Sequence, residues 1–152
     1  MEWVDGVDFL DFARESLIDN IIFSANSVIG KNGLVMGAGA ALRIRDAYPG
    51  IELQFGRLID RMPRDYLLVN VCRPDDTPSN IFALQVKRHY KNPGDFELCR
   101  KSLQKLSNTI NDTPAVMNCP LISHGGFGDN CDIVYALVEE ELQKNNIFVT
   151  RK

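Results

Sequence analysis

Two glycine-rich loops and one lysine carry the residue types in this chain that could do chemistry on a phosphorylated ligand. The first loop lies in the stretch Asn26 to Pro49. There Gly30, Gly33, Gly37 and Gly39 follow an apolar run, Ile21-Ile22-Phe23-Ser24-Ala25, and precede a helical segment from Ala40 to Tyr48. Strand, glycine loop, helix is an arrangement that binds phosphates. Glycine lets the backbone approach a ligand closely, and a helix N-terminus offers open N–H groups and a positive dipole end. The second loop, Ser123-His124-Gly125-Gly126-Phe127-Gly128-Asp129, follows the run Val116 to Ile122 and also precedes a helical segment. Consecutive glycine N–H groups form a nest for anions, so two such loops can hold two phosphates from both sides. A tight strand-to-helix turn without a ligand is the plainer alternative. Lys87 opens a basic cluster, Lys87-Arg88-His89-Tyr90-Lys91, which taken alone reads as a solvated turn.

Spacing and composition exclude several chemistries. No Lys-Ser or Lys-Thr pair follows the first glycines, so the loop is not a Walker A element. Gly37-Ala38-Gly39 runs into Ala40-Ala41-Leu42, so the third glycine of a dinucleotide fingerprint is absent. The four cysteines, Cys72, Cys99, Cys119 and Cys131, form no CxxC pair, and His89 and His124 lie far apart, so no zinc site is expected. The net charge of −3 argues against non-specific nucleic-acid binding. Residues 1–10 lack the basic and apolar regions of a signal peptide, and no run approaches the ~18 apolar residues of a membrane span. A soluble, cytoplasmic protein with reduced thiols is the expectation.

The elements that position these groups alternate along the chain. Strands are expected over Leu17–Ala25, Tyr66–Cys72, Asn80–Val86, Pro114–Ile122 with a bend at Pro120, and Asn146–Thr150. Helices are expected over Ala40–Ala47, Ile51–Leu58, Phe96–Asn108 and Ile133–Leu142, the last with Ile133, Leu137, Val138 and Leu142 inward. Asp75 to Ser79 makes a hairpin of the strands on either side. The pattern is an α/β domain with helices on both faces of a mixed sheet, and 152 residues suit one domain. Such sheets bind ligands at strand C-terminal ends, and Asn26, Lys87 and Gly125 all lie just past strand ends.

Asn26, the loop Met36-Gly37-Ala38-Gly39-Ala40-Ala41 and the following Ala47-Tyr48-Pro49 resemble the macrodomain family, in which an Asn ends a buried strand and a glycine loop of this type opens a helix. The resemblance runs from Val4 to Thr150. It implies one macrodomain over residues 1–152, a three-layer α/β/α sandwich with a mixed central sheet. It also implies a monomer that binds ADP-ribose, or ADP-ribosylated DNA or protein, with no cofactor, no metal and no membrane contact.

The segment Val86-Lys87-Arg88-His89-Tyr90 is similar to the Thr-Lys-Arg-His-Trp segment of DNA-ADP-ribose glycohydrolase antitoxins and of the related terminal ADP-ribose glycohydrolase, with Val86 in place of Thr. That likeness implies a catalytic Lys87, assisted by a carboxylate after the second loop, here Asp129. It implies ligand contacts from Asn26, Met36, Gly37, Ala38, Gly39 and Ala40, and from His124, Gly125, Gly126, Phe127 and Gly128 around the diphosphate and distal ribose. Asp8, beside Phe9, is the expected partner of the adenine amino group, with Asp5 the alternative. Phe127 either stacks on the ligand or fills the core. A lysine is a nucleophile only when deprotonated, so burial or the neighbouring Arg88 must lower its pKa. Gly125-Gly126-Phe127-Gly128 resembles the phosphatase-like branch rather than the Gly-Cys-Gly loop of the de-ADP-ribosylating branch. Four readings therefore stand: an ADP-ribosyl hydrolase, a non-catalytic binder of ADP-ribose or a related nucleotide, a phosphatase of ADP-ribose 1''-phosphate, and another α/β nucleotide binder.

Overall fold

Strand β2 (Asn20–Ala25) sits inside the sheet because both of its faces are apolar: Ile21 and Phe23 enter one core, and Ile22 enters the other. Alternate strand residues point to opposite faces, so this short run anchors two layers at once. In the computed structural model, which describes residues 1–73, 79–120, 127 and 130–151, the same pattern recurs along the sheet. The elements run β1 (Glu2–Asp5), α1 (Phe9–Glu15), β2, β3 (Ile29–Gly30), β4 (Gly33–Leu34), α2 (Gly39–Ala47), α3 (Ile51–Ile59), β5 (Leu68–Arg73), β6 (Ser79–Gln85), α4 (Phe96–Ile110), β7 (Ala115–Asn118), α5 (Cys131–Leu142) and β8 (Ile147–Arg151). Six strands form one sheet in the order β1-β8-β7-β2-β6-β5. All neighbours are parallel except β5 and β6, whose antiparallel register runs from Leu68 opposite Leu84 to Arg73 opposite Ser79. The expected mixed sheet and strand pair are present.

Helices α1, α2 and α3 cover one face through Phe9, Leu10, Ala13, Ala41, Ile44, Ile51, Phe55 and Ile59. Helices α4 and α5 cover the other through Cys99, Leu103, Leu106, Val134, Leu137, Val138 and Leu142. The result is the expected three-layer sandwich. Each fully buried Leu, Ile or Phe contributes about 1.5–3 kcal/mol to it.

The structure departs from the sequence-based expectation in four places. A strand was expected from Leu17, but residues 9–15 form a helix capped by Asp8, whose carboxylate accepts from Asp11 N at 3.0 Å. Leu17 takes the left-handed position that ends this helix (φ 57°), with Ile18 N donating to Ala13 O at 2.9 Å, so β2 begins only at Asn20. The first glycine stretch contains the small hairpin β3–β4, which was not foreseen. Strand β7 stops at Asn118, before Pro120, whose ring cannot donate to a ladder. Ile133 is 54% exposed, because the inward stripe of α5 is Val134, Leu137, Val138 and Leu142, one position around the helix.

Candidate functional site

The five parallel strands end at one edge of the sheet, and that edge collects the first loop, Lys87 and Asp8. Asn26 follows β2 directly and is buried. Both ends of its side chain serve its own loop: Oδ1 accepts from Val28 N at 2.9 Å, and Nδ2 donates to Val35 O at 3.1 Å. Asn26 therefore acts on the loop's shape, folding residues 27–35 back as the β3–β4 hairpin. That hairpin lies hard against α3. Gly33 has φ +111°, and a Cβ there would collide with the Glu52 carbonyl, while a Cβ on Gly56 would lie 2.9 Å from Gly33 Cα. Met36 then buries its side chain in the core, which leaves Gly37, Ala38 and Gly39 exposed at the mouth.

Helix α2 begins here with Ala38 as N-cap, no side-chain cap and no acidic residue in its first turn. Its first N–H groups have no partner inside the helix, and the positive end of the dipole faces the open loop. A Cβ built on Gly37 meets no atom within 4 Å, so there is room in front of that backbone. This is the geometry of an anion cradle.

Lys87 arrives from β6, the neighbour of β2. The two strand exits continue their pairing: Val86 N donates to Ala25 O at 3.0 Å, and Ser27 N donates to Arg88 O at 3.2 Å. The Ser27 hydroxyl donates to the same Arg88 carbonyl at 2.9 Å. Lys87 is thus flanked by two residues stitched to the Asn26 strand. Its side chain is half-buried, and Nζ donates to Tyr90 O at 3.2 Å. Burial holds the Lys87 ammonium below the ordinary lysine range. Of the two expected causes, burial is the one at work. The Arg88 charge is neutralised by Asp65, which it grips at 2.9 Å through Nε and through Nη2, and by Asp95 at 2.9 Å through Nη1.

Asp8 caps α1 and receives Arg43 Nε from α2 at 3.2 Å, both through Oδ2. Its Oδ1 makes no hydrogen bond among the described residues, so one acceptor remains for a ligand. Asp5, the alternative, is committed to Arg151 at the end of β8, with contacts of 2.6 and 3.0 Å that hold its carboxyl below the usual range. Phe9 is 3% exposed and its ring belongs to the core, which leaves only its backbone for a ligand. Phe127 takes the core reading too. Its ring is 3% exposed, packs on Phe96 at 4.9 Å, and lies where a Cβ on Gly94 would approach within 2.5–2.7 Å. His124, Gly125, Gly126, Gly128 and Asp129 lie outside the described residues.

Burial pushes the Cys99 thiol up to about 12 and raises that of Cys119 as well, so neither of these two is a ready nucleophile. Among the described residues, no group of three or more His, Cys, Asp or Glu could hold a metal ion, and no helix is long and apolar enough to cross a membrane. Sequence reasoning passed over Asp65, Tyr66, Arg43 and Ser27. Tyr66, 1% exposed, donates its hydroxyl to Asn26 O at 2.6 Å. These residues lie 23 to 61 positions from the groups they hold, so local spacing carried no signal for them.

No protein-family model matches the sequence, and no curated protein matches it. Solved structures do. The macrodomain of Thermus aquaticus DarG superposes with a TM-score of 0.78 at 20% identity, over 99% of this chain and 97% of that one. The macrodomain of Mycobacterium tuberculosis DarG gives 0.74 at 17% identity, over 99% and 97%. Thermosipho africanus DarTG, solved in complex with ADP-ribose, gives 0.78 at 17% identity, over 99% of this chain and 41% of that one. With the strand order, the two helical layers and the glycine loop opening α2, these superpositions show that the chain has the macrodomain fold.

Proposed function

We propose that this protein binds ADP-ribose at the described edge and hydrolyses an ADP-ribosyl linkage, with Lys87 as the attacking group. The observation that carries the reading is Lys87 itself: an amine half-buried beside the Asn26 strand exit, with burial lowering its proton affinity. Burial favours the neutral amine that a nucleophile needs, whereas an ammonium acting only as a phosphate-binding charge must stay protonated. The diphosphate would lie over Gly37–Ala40 and the α2 N-terminus, and the adenine amino group would donate to Asp8 Oδ1. The complex of Thermosipho africanus DarTG with ADP-ribose, on the same fold, supports this choice of ligand.

In this reading the neutral Lys87 amine attacks the anomeric carbon of the distal ribose. The bond from that carbon to the base or carboxylate breaks, and the leaving group departs with the bonding electrons. Asp129, by resemblance, relays the proton from the amine to the leaving group. Ring opening gives a Schiff base on Lys87, which water hydrolyses to return ADP-ribose and the free amine. General acid–base help of this kind contributes about 100- to 10,000-fold in rate.

A second reading, a binder without turnover, draws on the Lys87 Nζ contact with the Tyr90 carbonyl, which favours the charged amine. Parallel incubation with ADP-ribosylated DNA, ADP-ribosylated protein and ADP-ribose 1''-phosphate separates the readings. Release of ADP-ribose from the first or second supports the hydrolase. Release of phosphate from the third moves the function to the phosphatase, and binding without release moves it to the binder.

A further inference from the structure

Residues 65–67, the short segment entering β5, touch both strand exits that flank the candidate reaction centre. Asp65 holds Arg88, the residue after Lys87, through two charge-assisted bonds of 2.9 Å. Tyr66, fully buried, donates its hydroxyl to the backbone oxygen of Asn26 at 2.6 Å. Burial raises the Tyr66 pKa far above its ordinary value, so the hydroxyl stays a donor. Leu67 exchanges bonds with Gln85 at the end of β6: Leu67 N donates to Gln85 Oε1 at 3.0 Å, and Gln85 N donates to Leu67 O at 2.8 Å.

Leu67 is held at φ 66°, a left-handed conformation that a residue with a Cβ adopts only under constraint. Such outliers persist where the surroundings over-determine them, and they cluster at functional sites. Here the constraint comes from Gln85 on one side and the seated Tyr66 ring on the other. Arg88 completes the brace by bonding Asp95, whose Oδ1 caps α4 at Leu98 N, 3.0 Å.

We propose that residues 65–67 and Arg88 form a strut that sets the Lys87 side chain against the Asn26 loop, making Asp65, Tyr66 and Arg88 positioning residues for the site. The inference rests on the reading of Lys87 as the reacting amine, but its geometric part can be tested without turnover. Past the ladder, the two strand exits are joined directly by the bonds from Val86 N to Ala25 O and from Ser27 N and Oγ to Arg88 O. The strut adds a second constraint, holding Arg88, Gln85 and the Asn26 carbonyl from one short segment. A misplacement of about 1 Å at a reacting group costs on the order of a hundredfold in rate.

The test uses the full chain with Tyr66→Phe, Asp65→Asn and Arg88→Gln, plus Arg57→Gln on the exposed face of α3 as a control. Tyr66→Phe keeps the ring, and Asp65→Asn keeps the shape at a half-exposed site, so at least one variant stays folded for measurement. Two readouts are taken: the NMR resonance of Lys87 in protein carrying isotope-labelled lysine, and kcat and KM on the substrate that the wild type turns over. The expected result is a Lys87 resonance that moves toward those of solvated lysines in the three strut variants and stays put in the control. The kcat should fall about ten- to a hundredfold with KM little changed. With Lys87→Ala already present, the strut variants should lower the residual rate no further, because they act through Lys87. An unmoved resonance in folded variants overturns the strut, as does a rate loss that adds fully to that of Lys87→Ala. If the wild type turns over none of the substrates, the hydrolase reading falls, and the resonance alone decides the strut.

Discussion

Gly37→Val separates binding from folding at the first loop. Gly37 is exposed, has an ordinary φ, and has no atom within 4 Å of the position a Cβ would take. The first added carbon therefore meets nothing in the protein, and at this exposed position the effect on stability should stay within about 0.5 kcal/mol, the range of ordinary surface changes. For a domain of this size that moves the melting temperature by roughly 1–2 °C. The branched side chain instead enters the space in front of the α2 N-terminus, where the diphosphate is proposed to sit. If it displaces two hydrogen bonds to charged oxygens, each worth about 1.5–3 kcal/mol, affinity falls by about 3–6 kcal/mol. That corresponds to a factor of about a hundred to ten thousand in Kd. The assay is thermal unfolding with and without ADP-ribose, followed by calorimetric titration. Wild type with ligand at a hundred times Kd should gain about 2.7 kcal/mol of stability. The variant should melt like the wild type alone and, at the same ligand concentration, gain no more than about 0.4 kcal/mol from ADP-ribose. A Gly37→Val protein that bound ADP-ribose like the wild type would refute the placement of the diphosphate.

Gly33→Ala should behave in the opposite way. Its φ of +111° and the collision with the Glu52 carbonyl predict a loss of about 2–5 kcal/mol in denaturant unfolding, from overpacking and backbone strain together. Asp8→Asn keeps the α1 cap, since Asn caps as well as Asp, and loses only a partly exposed ion pair with Arg43, about 0.2–1 kcal/mol. Its amide nitrogen would replace the oxygen left for the ligand, so calorimetry should show ADP-ribose weakened about tenfold or more. The carboxyls of Asp65 and Asp95 lie below their ordinary value of 3.8, Asp65 mainly through Arg88 and Asp95 mainly through the Leu98 N–H and then Arg88. Their contribution to stability is complete above that pH and is lost as pH falls through the lowered values. Arg88→Gln should therefore reduce stability at neutral pH and flatten its decline in acid, as read by denaturant titrations across pH.

What the sequence disclosed follows from the range of the interactions involved. Strands β2 and β6 were legible because Ile21 to Ala25 and Ile81 to Leu84 bury both faces, which leaves continuous apolar runs. Helix α2 was legible from its glycine start and its Pro49-Gly50 stop. Helix α1 was not, because residues 9–15 span barely two turns, and Leu17 occupies a helix-ending position where glycine is the usual signal. Within the site, Asn26, Gly37 and Lys87 could be marked by their places next to strand ends. Their supports could not. The Arg88–Asp65 pair, the Tyr66 bond to Asn26 and the Arg43–Asp8 contact join distant parts of the chain, and each side chain taken alone reads as an ordinary charged or aromatic residue. Phe127 was legible only as an alternative, ligand contact or core, because its glycine neighbours fit either; its ring packs on Phe96 under Gly94.

The central claim is that Lys87 attacks the linked ribose, and one comparison tests it most directly. Wild type and Lys87→Ala are incubated with ADP-ribosylated DNA and ADP-ribosylated protein, released ADP-ribose is followed over time, and a parallel sample is treated with borohydride before mass spectrometry. The account predicts release by the wild type, a reduced adduct on Lys87, and a Lys87→Ala protein that still binds ADP-ribose but releases it only at a small residual rate. That split, rate lost and affinity kept, is expected of a group used in the transition state and not in ground-state binding. Full release by Lys87→Ala would contradict the account.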